Sequence, residues 1–327
     1  MTLRKEFYFN LTNHCMNDCI FCIAEKRKKM KEIDAKKFLE ICRSEHIQNN
    51  EITLCGGEPT ILSDFIEILR IANATNSNIV LLSNGRKFSE EAYCIDVLAC
   101  NNISEIHIPI HGPEHIHDFM TRRNGSFRQT IQGIRNILHH KKGSTRVIPK
   151  IVLCKSNYRE LINTVKSIHR EFPDIDEVAI SSLKIPKDIK SNVEDIAFNL
   201  SDIEAIMNDL IDYCETSGIT LILDHLPACI IGEKNYLRYM ELKRKPAIEY
   251  SDFEQIYFDG ITAENLEERI VLRNNIEGHV LKTCVICRYY DGCQGIEKSY
   301  AEFVTDRNLN PLRYVDERLM TGLDGNG

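Results

Sequence analysis

The chain has 327 residues, with 48 aspartates and glutamates against 41 lysines and arginines, for a formal net charge of −7. Its 43% hydrophobic and 27% charged content is typical of a globular protein and excludes a disordered chain, while the excess of acid argues against a nucleic-acid partner. The apolar runs, such as residues 79–82 and 219–223, are far shorter than the ~20 residues that span a bilayer. No apolar signal segment opens the chain. We therefore expect a cytoplasmic protein with no membrane partner.

Short segments rich in isoleucine, valine, leucine and threonine alternate along the chain with longer amphipathic segments. The short segments predict six strands, at residues 7–11, 51–55, 78–83, 105–110, 147–153 and 177–183. The amphipathic segments predict six helices, at residues 34–48, 63–76, 90–100, 126–140, 158–171 and 201–217. Six β-then-α units in succession predict an α/β fold with a parallel sheet and helices outside it. Because six units fall short of a closed eightfold barrel, we predict an incomplete, open barrel.

The pattern changes after Gly218. Residues 219–223 predict one more strand, but Pro227 and Cys229 follow it in place of a helix. The charged and aromatic stretch from 234 to 277 has one strand candidate, at residues 253–258. We therefore predict a barrel domain over residues 1–217 and a smaller C-terminal accessory region over residues 218–327.

Three of the 13 cysteines lie close together directly after the first predicted strand. Cys15, Cys19 and Cys22 form a C-x3-C-x2-C motif on one loop. In a cytosolic chain, clustered cysteines more often bind metal or act in catalysis than form disulfides. Structural zinc sites usually take four ligands, whereas a 4Fe–4S cluster held by three thiolates keeps one iron without a protein ligand. A zinc knuckle, chance spacing and an iron–sulfur cluster are all open at this point.

Four motifs at successive strand ends together resemble the radical S-adenosylmethionine (radical SAM) superfamily. They are the cysteine motif with the aromatic Phe21 before its third cysteine, Gly56-Gly57-Glu58-Pro59, Leu82-Ser83-Asn84-Gly85, and the segment 107–112. The resemblance covers about residues 5–217 and implies an open (β/α)6 barrel. It also implies that Cys15, Cys19 and Cys22 ligate three irons of a 4Fe–4S cluster, whose fourth iron is chelated by the amino and carboxylate groups of S-adenosylmethionine.

In this superfamily, an electron delivered to the cluster cleaves the sulfonium bond and yields a 5′-deoxyadenosyl radical, which removes hydrogen from the substrate. The resemblance implies contacts with S-adenosylmethionine from Phe21, Gly56, Gly57, Glu58, Pro59, Ser83, Asn84, His111 and Arg123. The chemistry of these residues is compatible with such contacts. Glycine lets the backbone approach a ligand closely, the Glu58 carboxylate suits an ammonium group, and the Arg123 guanidinium can pair with a carboxylate. Ordinary strand-end turns and a solvated arginine explain the same residues. We expect His115 and His117 to make loop or substrate contacts.

A second group of cysteines lies towards the C-terminus. Cys284, Cys287 and Cys293 form a C-x2-C-x5-C-x-G pattern, and Cys229 is the best-placed fourth thiol. The arrangement resembles twitch, the shortened form of the SPASM auxiliary-cluster extension, and implies that these four cysteines ligate a second 4Fe–4S cluster. A four-thiolate zinc site is the alternative. We expect the other six cysteines to be small hydrophobic residues: Cys42, Cys55, Cys94, Cys100, Cys154 and Cys214.

Three functions agree with these motifs. The first is a radical SAM enzyme that cross-links, epimerises or oxidises a ribosomally made peptide, because members with auxiliary clusters are often peptide modifiers. The second is an enzyme that tailors a small molecule, such as a nucleoside, an amino sugar or a cofactor precursor. The third is a zinc-binding interaction protein without turnover. An enzyme of either kind needs an electron donor, and the basic run Lys26, Arg27, Lys28, Lys29 and Lys31 is either a solvated helix start or a docking patch for an acidic flavodoxin or ferredoxin.

Overall fold

The computed structural model describes residues 4–23, 32–100, 103–143, 145–185, 193–199, 202–242, 253–259, 270–271, 289 and 295–296. Within these ranges nine strands form one sheet. The strands are β1 Arg4–Asn10, β2 Glu51–Cys55, β3 Asn78–Leu82, β4 Ile103–Pro109, β5 Arg146–Val152, β6 Glu177–Ser181, β7 Thr220–Asp224, β8 Phe253–Asp259 and β9 Ile270–Val271.

Helices follow most of the strands. They are α1 Ala35–Ser44, α2 Phe65–Ala74, α3 Glu91–Leu98, α4 Glu114–Thr121, α5 Ser126–His140, α6 Leu161–Glu171, α7 Val193–Ile196, α8 Ile203–Ser217, α9 Ala228–Ile231 and α10 Glu233–Leu242. Among the residues described, none of these helices is both long enough and apolar enough to cross a membrane.

The predicted α/β fold with an open, partial barrel is confirmed. Strands β1 to β7 follow one another across the sheet in chain order, and each pairs in parallel with the next. Beyond β1 lies β8, which pairs with it in parallel along its whole length, and β9 pairs antiparallel to β8. The segment after Gly218 therefore adds strands to both sides of the sheet, while the domain boundary at that residue stays a prediction.

Some helices lie outside the predicted segments. One of them is α4, which holds His115 and His117. Pro113 precedes it in an extended conformation and Glu114 places an acid in its first turn, both of which favour a helix start. After β7, where no helix was expected, α9 and α10 follow; they are separated by Gly232, which takes a φ of +82°.

The two faces of the sheet differ in polarity. One face packs on the helices and forms the core: Phe9 and Leu54 are fully buried, and the ring of Phe9 lies 4.6 Å from that of Phe38 in α1. Because side chains alternate along a strand, the intervening residues point to the other, concave face, where Glu105 and Lys150 are half-buried. The carboxyl ends of the parallel strands meet at one edge of this face, and the loops after them carry the predicted site residues.

Candidate functional site

The loop after β1, residues 12–23, carries Cys15, Cys19 and Cys22, and we call it the cysteine loop. It is held first by the segment after β2. The backbone N–H of Gly57 donates to the carbonyl oxygen of Thr12 at 2.6 Å, and that of Glu58 donates to the carbonyl oxygen of His14 at 2.8 Å. These two bonds fix the start of the loop against the Gly-Gly-Glu-Pro motif.

The glycines of that motif allow this contact. A Cβ atom at Gly57 would lie 2.3 Å from the carbonyl oxygen of His14, and one at Gly56 would lie 2.5 Å from that of Thr12. Gly56 also has a φ of +138°, which side chains rarely tolerate. In the structure this close approach is to the cysteine loop, and the predicted contact of the two glycines with S-adenosylmethionine stays a prediction.

The middle of the cysteine loop is held from the opposite side by α4 and by two arginines. The backbone N–H groups of Asp18 and Ile20 donate to carbonyl oxygens at the end of α4, at 3.0 and 2.9 Å. The guanidinium of Arg86 donates to the carbonyl oxygen of Met16 at 2.9 Å. Arg123 donates to the same oxygen at 3.0 Å. Arg123, predicted to contact S-adenosylmethionine, thus also positions the loop.

The three thiols are each half-buried, and they lie close enough for the charges of Cys15 and Cys22 to act on Cys19. The backbone N–H of Asn17 donates to the Sγ of Cys15 at 3.3 Å, and the side-chain amide of Asn84 donates to it at 3.7 Å. Burial raises the pKa of the Cys15 and Cys19 thiols, and the charge of Cys22 raises both further. Metal binding opposes this by holding thiols in the deprotonated form.

The chemistry of the three donors is compatible with a cluster of several metal atoms. Among the residues described, no three cysteine, histidine or carboxylate side chains are arranged to hold one metal ion. Zinc draws its thiolates around one point at about 2.3 Å, whereas an iron–sulfur cluster takes each thiolate on a different iron. Three thiols on one loop are the ligands that such a cluster takes when one of its irons is left without a protein ligand, so the chemistry of the donor set fits a 4Fe–4S cluster.

Glu58, Ser83 and Asn84, all predicted to contact S-adenosylmethionine, form one buried network between the ends of β2 and β3. One carboxylate oxygen of Glu58 accepts from the hydroxyls of Thr60 and Ser83 at 2.6 and 2.8 Å, and the other accepts from the backbone N–H of Asn84 at 2.6 Å. Burial raises the pKa of Glu58, against the effect of these hydrogen bonds. Pro59 is buried in the turn that follows. The network aims the Asn84 amide at Cys15.

His111 lies buried directly after β4 and belongs to a stack of four rings. Its ring centroid lies 5.1 Å from that of Phe21 in the cysteine loop and 5.5 Å from that of His117 in α4. The ring of His117 lies 5.7 Å from that of Phe127 in α5. Burial lowers the pKa of His111 well below its usual value and that of His117 to about 4, so both rings are neutral near pH 7. His115, in contrast, is exposed.

Sequence reasoning missed Arg86. It lies beside the cysteine loop, where burial lowers its pKa and the charge of Cys15 acts in the opposite direction. It also donates to the side chain of Asn17 at 2.7 Å and to that of Gln129 at 2.7 Å. The available signal was its place in the chain, two residues after Asn84 at the end of a predicted strand.

The concave face carries opposite charges in pairs. Arg146 forms ion pairs with both Glu105 and Glu177, on the two neighbouring strands. Closer to the carboxyl edge, Lys150 lies 3.6 Å from a carboxylate oxygen of Asp224. This face is therefore suited to polar and charged groups rather than to an apolar ligand.

Of the second cysteine group, the structure describes Cys229, which is half-buried in α9. Cys284, Cys287 and Cys293 lie outside the described residues. Tyr289, which stands between the last two in sequence, donates from its hydroxyl to Glu233 at 2.7 Å, and its ring lies 5.2 Å from that of Tyr236. Both partners are in α10, the helix that begins four residues after Cys229. Of the six single cysteines, Cys55 is half-buried and the other five are buried.

Comparisons with known proteins agree with this site. The family model for the radical SAM superfamily matches residues 9–196. The sporulation killing factor maturation protein SkfB of Bacillus subtilis is 25% identical over 158 residues, which are 48% of this chain and 37% of that protein. The mycofactocin maturase MftC of Mycolicibacterium smegmatis is 24% identical over 155 residues, 47% of this chain and 38% of that protein. The match thus spans little more than a third of these relatives.

Two solved structures share the fold. SuiB of Streptococcus suis bound to S-adenosylmethionine has a TM-score of 0.63 and 14% identity, over 90% of this chain and 73% of that chain. The anSMEcpe structure with bound AdoMet and the Cp18Cys peptide has a TM-score of 0.63 and 14% identity, over 94% of this chain and 93% of that chain. At this identity the likeness concerns the fold.

Proposed function

The chain belongs to the radical SAM superfamily, and from this premise we propose that it is an enzyme that modifies a ribosomally made peptide. Cys15, Cys19 and Cys22 would hold the 4Fe–4S cluster through which the family binds S-adenosylmethionine. The observation that carries the proposal is that three thiols share one region on a loop fixed at the carboxyl edge of the sheet. Low-potential clusters need reducing surroundings, which favours the cytoplasm.

When bound, the cluster and S-adenosylmethionine supply a carbon radical that removes a hydrogen atom from the substrate. The chain's own residues prepare the place for this. Gly57 and Glu58 hold the start of the cysteine loop, and Arg86 holds its middle. The hydrogen bonds from Asn17 and Asn84 to the sulfur of Cys15 are of the kind that tunes the reduction potential of a cluster.

A peptide substrate is supported by the relatives and by the concave face. SkfB and MftC are named for maturation, and SuiB has been solved with a precursor peptide, SuiA. The polar concave face, with Lys150 and Asp224 closer to its carboxyl edge, is compatible with a peptide's polar backbone and charged side chains. A small-molecule substrate is the rival outcome of the experiments below.

We also propose an auxiliary 4Fe–4S cluster held by Cys229, Cys284, Cys287 and Cys293. Four thiolates complete the ligand set of such a cluster, so its role would be electron transfer rather than substrate binding. The contacts of Tyr289 with Glu233 and Tyr236 support it, because they place a residue of the C-terminal cysteine segment beside the helix that follows Cys229.

The cofactor proposal is tested by anaerobic reconstitution with iron and sulfide. Two four-iron clusters correspond to about 8 iron per chain. The variant Cys15→Ala is expected to abolish cleavage of S-adenosylmethionine, whereas the matched variant Cys100→Ala, at a buried cysteine of the outer layer, retains it. A protein that takes up zinc and no iron would instead be the binding protein without turnover.

The substrate proposal is tested with deuterated forms of the short peptides that neighbouring genes encode, beside a nucleoside and an amino sugar. Transfer of deuterium into 5′-deoxyadenosine is expected, and transfer from a nucleoside or sugar but not from the peptide would overturn the proposal. The variant Cys293→Ala is expected to retain some uncoupled cleavage while it loses the peptide product. Full product formation by that variant would show that the auxiliary cluster is not required.

A further inference from the structure

Lys150 and Asp224 meet near the carboxyl edge of the concave face, and we call them the edge pair. Lys150 lies two residues before the end of β5, and Asp224 is the last residue of β7. The residues next to them in the chain, Ile151 and Leu223, are buried in the core on the opposite face of the sheet. From these positions the Lys150 ammonium reaches across β6 and lies 3.6 Å from a carboxylate oxygen of Asp224.

Arg146, four residues before Lys150 on the same face of β5, is bound in a different way. Its guanidinium donates to Glu105 and to Glu177, on the two neighbouring strands. Lys150 has a proline and an alanine at the positions opposite it on those strands, and neither offers a polar side chain. At 3.6 Å its contact with Asp224 is too long for a hydrogen bond. The three N–H donors of the ammonium therefore form no hydrogen bond with the residues that the structure describes.

The stability of the fold does not account for the edge pair. The side chains of Lys150 and Asp224 are 35% and 28% exposed, and ion pairs that water reaches contribute little. Both groups can still bind a ligand. The ammonium has three donors, and a carboxylate has about four acceptor sites, one of which lies 3.7 Å from Nε2 of His225. The pair can therefore donate to one ligand atom and accept from another.

Two opposite charges this close together favour a neutral polar group over a charged one. A substrate carboxylate bound to Lys150 would also meet Asp224, and a substrate ammonium bound to Asp224 would also meet Lys150; in both cases like charges repel. A group with one acceptor and one donor side by side meets both residues without repulsion. The backbone of an extended peptide offers such a group, because the C=O and N–H of one residue lie on the same side of the chain, as in antiparallel pairs that exchange both hydrogen bonds.

We propose that the edge pair binds the backbone of the substrate peptide, with Lys150 donating to the carbonyl oxygen and Asp224 accepting from the N–H of one extended residue. The inference rests on the proposed function and specifies how its peptide is held. Because main-chain hydrogen bonds give affinity while side-chain pockets give specificity, the pair positions the peptide without selecting its side chains.

The role of the pair is tested with Lys150→Met and Asp224→Leu, using the peptide that transfers deuterium in the substrate experiment above. Each variant is expected to raise KM about tenfold, with a smaller change in kcat, because a hydrogen bond to a charged group is lost from the bound peptide. Kd, from fluorescence anisotropy of the same peptide carrying a fluorophore, should rise equally. Lys150→Arg keeps the donors and should stay near the parent. Melting temperature and iron content show whether each variant folds and binds its cluster.

Arg146→Met is the matched control, because it removes a cation from the same face of β5 whose partners are already within the protein. Its KM and Kd for the peptide should equal those of the parent. Parent-level KM and Kd in both Lys150→Met and Asp224→Leu would overturn the inference, and so would an equal rise in Arg146→Met.

Backbone recognition is tested by methylating the backbone nitrogens of the peptide one at a time. At one position, N-methylation is expected to raise KM in the parent about tenfold and to have no further effect in Asp224→Leu, where the acceptor is already absent. Absence of such coupling at every position overturns the inference, and coupling with a charged side chain of the peptide would show that the pair recognises that side chain instead. If the parent transfers deuterium from no peptide, the proposed function fails and this inference with it; if it does and the variants match it, the inference alone fails.

Discussion

The substitution Gly57→Ala tests whether the backbone contact after β2 determines the position of the cysteine loop. The added Cβ would stand 2.3 Å from the carbonyl oxygen of His14 and 2.6 Å from that of Asn13. Both atoms belong to the backbone, so no side-chain rotation relieves the contact. The loop has to move away by roughly 1 Å, the difference between such a contact and ordinary van der Waals packing.

The expected cost has two parts. Overpacking of this kind costs about 1–3 kcal/mol, and weakening of the hydrogen bond from Glu58 to His14, 2.8 Å long in the parent, adds about 1 kcal/mol. Because metal ligands have to be held within about 0.5 Å of their working positions, the displaced loop is expected to bind less iron. We therefore predict a loss of about 2–4 kcal/mol in the free energy of unfolding and a lower iron content.

Gly218→Ala is the matched control. Gly218 ends α8 with a φ of +73°, and a Cβ there would have no neighbour within 4 Å. Its replacement should cost about 1–2 kcal/mol through the left-handed conformation alone and leave iron content at the parent level. Denaturant unfolding of the apoproteins and iron analysis after reconstitution separate the two effects. Parent-level iron in Gly57→Ala would refute the role given to this contact.

Three further predictions concern titratable and charged side chains. Burial lowers the pKa of His117 to about 4, so between pH 6.5 and 4 the unfolded chain binds more protons than the folded one. The free energy of unfolding therefore falls as the pH drops through that range, by up to about 3 kcal/mol. His117→Gln should flatten this pH dependence in denaturant unfolding, and an equally steep profile would contradict it. Arg146→Met removes the cation shared by Glu105 and Glu177. The hydrogen bond with His107 and, after it, the charge of Arg146 hold the pKa of Glu105 below its usual value in the parent, so the loss of about 2 kcal/mol expected at pH 7 should shrink as the pH falls below about 4. A loss measured by thermal melts that does not vary with pH would count against this. Arg86→Gln removes two hydrogen bonds to the cysteine loop. It should lower the iron content after reconstitution with little change in melting temperature. An iron content at the parent level would show that the position of the loop does not depend on this arginine.

The order and type of the strands could be predicted from the sequence because their signals are local. Runs of β-branched residues bounded by turn residues gave β2 its observed limits and placed the other strands within a few residues. The pairing of β8 with β1 could not be predicted in this way. The sequence of a short alternating strand does not specify which edge of the sheet it joins, because its neighbour depends on which edge strand the rest of the fold leaves unpaired.

The sequence predicted the candidate metal ligands of the site but not the residues that hold the cysteine loop in place. Three cysteines at fixed spacing are visible within eight residues of sequence, whereas Arg86 meets the carbonyl oxygen of Met16 across 70 positions. The ring stack likewise joins Phe21, after β1, with residues of α4 and α5. Such contacts exist because the carboxyl ends of neighbouring parallel strands meet at one edge, so they follow from the fold and are not encoded in any single segment.

The hydrogen bonds to the cysteine loop explain how its thiols can be ordered before metal binds. Ordering each residue of an irregular loop costs about 1–2 kcal/mol in backbone entropy, and in zinc fingers the metal itself has to offset that cost. Here the hydrogen bonds that order the cysteine loop come from the ends of β2 and α4 and from Arg86, and the strongest of them involve no sulfur atom. A cluster can therefore bind to a loop that the fold has already ordered. Because the loop fixes the three thiols, the cluster can be held in a defined place although one of its irons has no protein ligand.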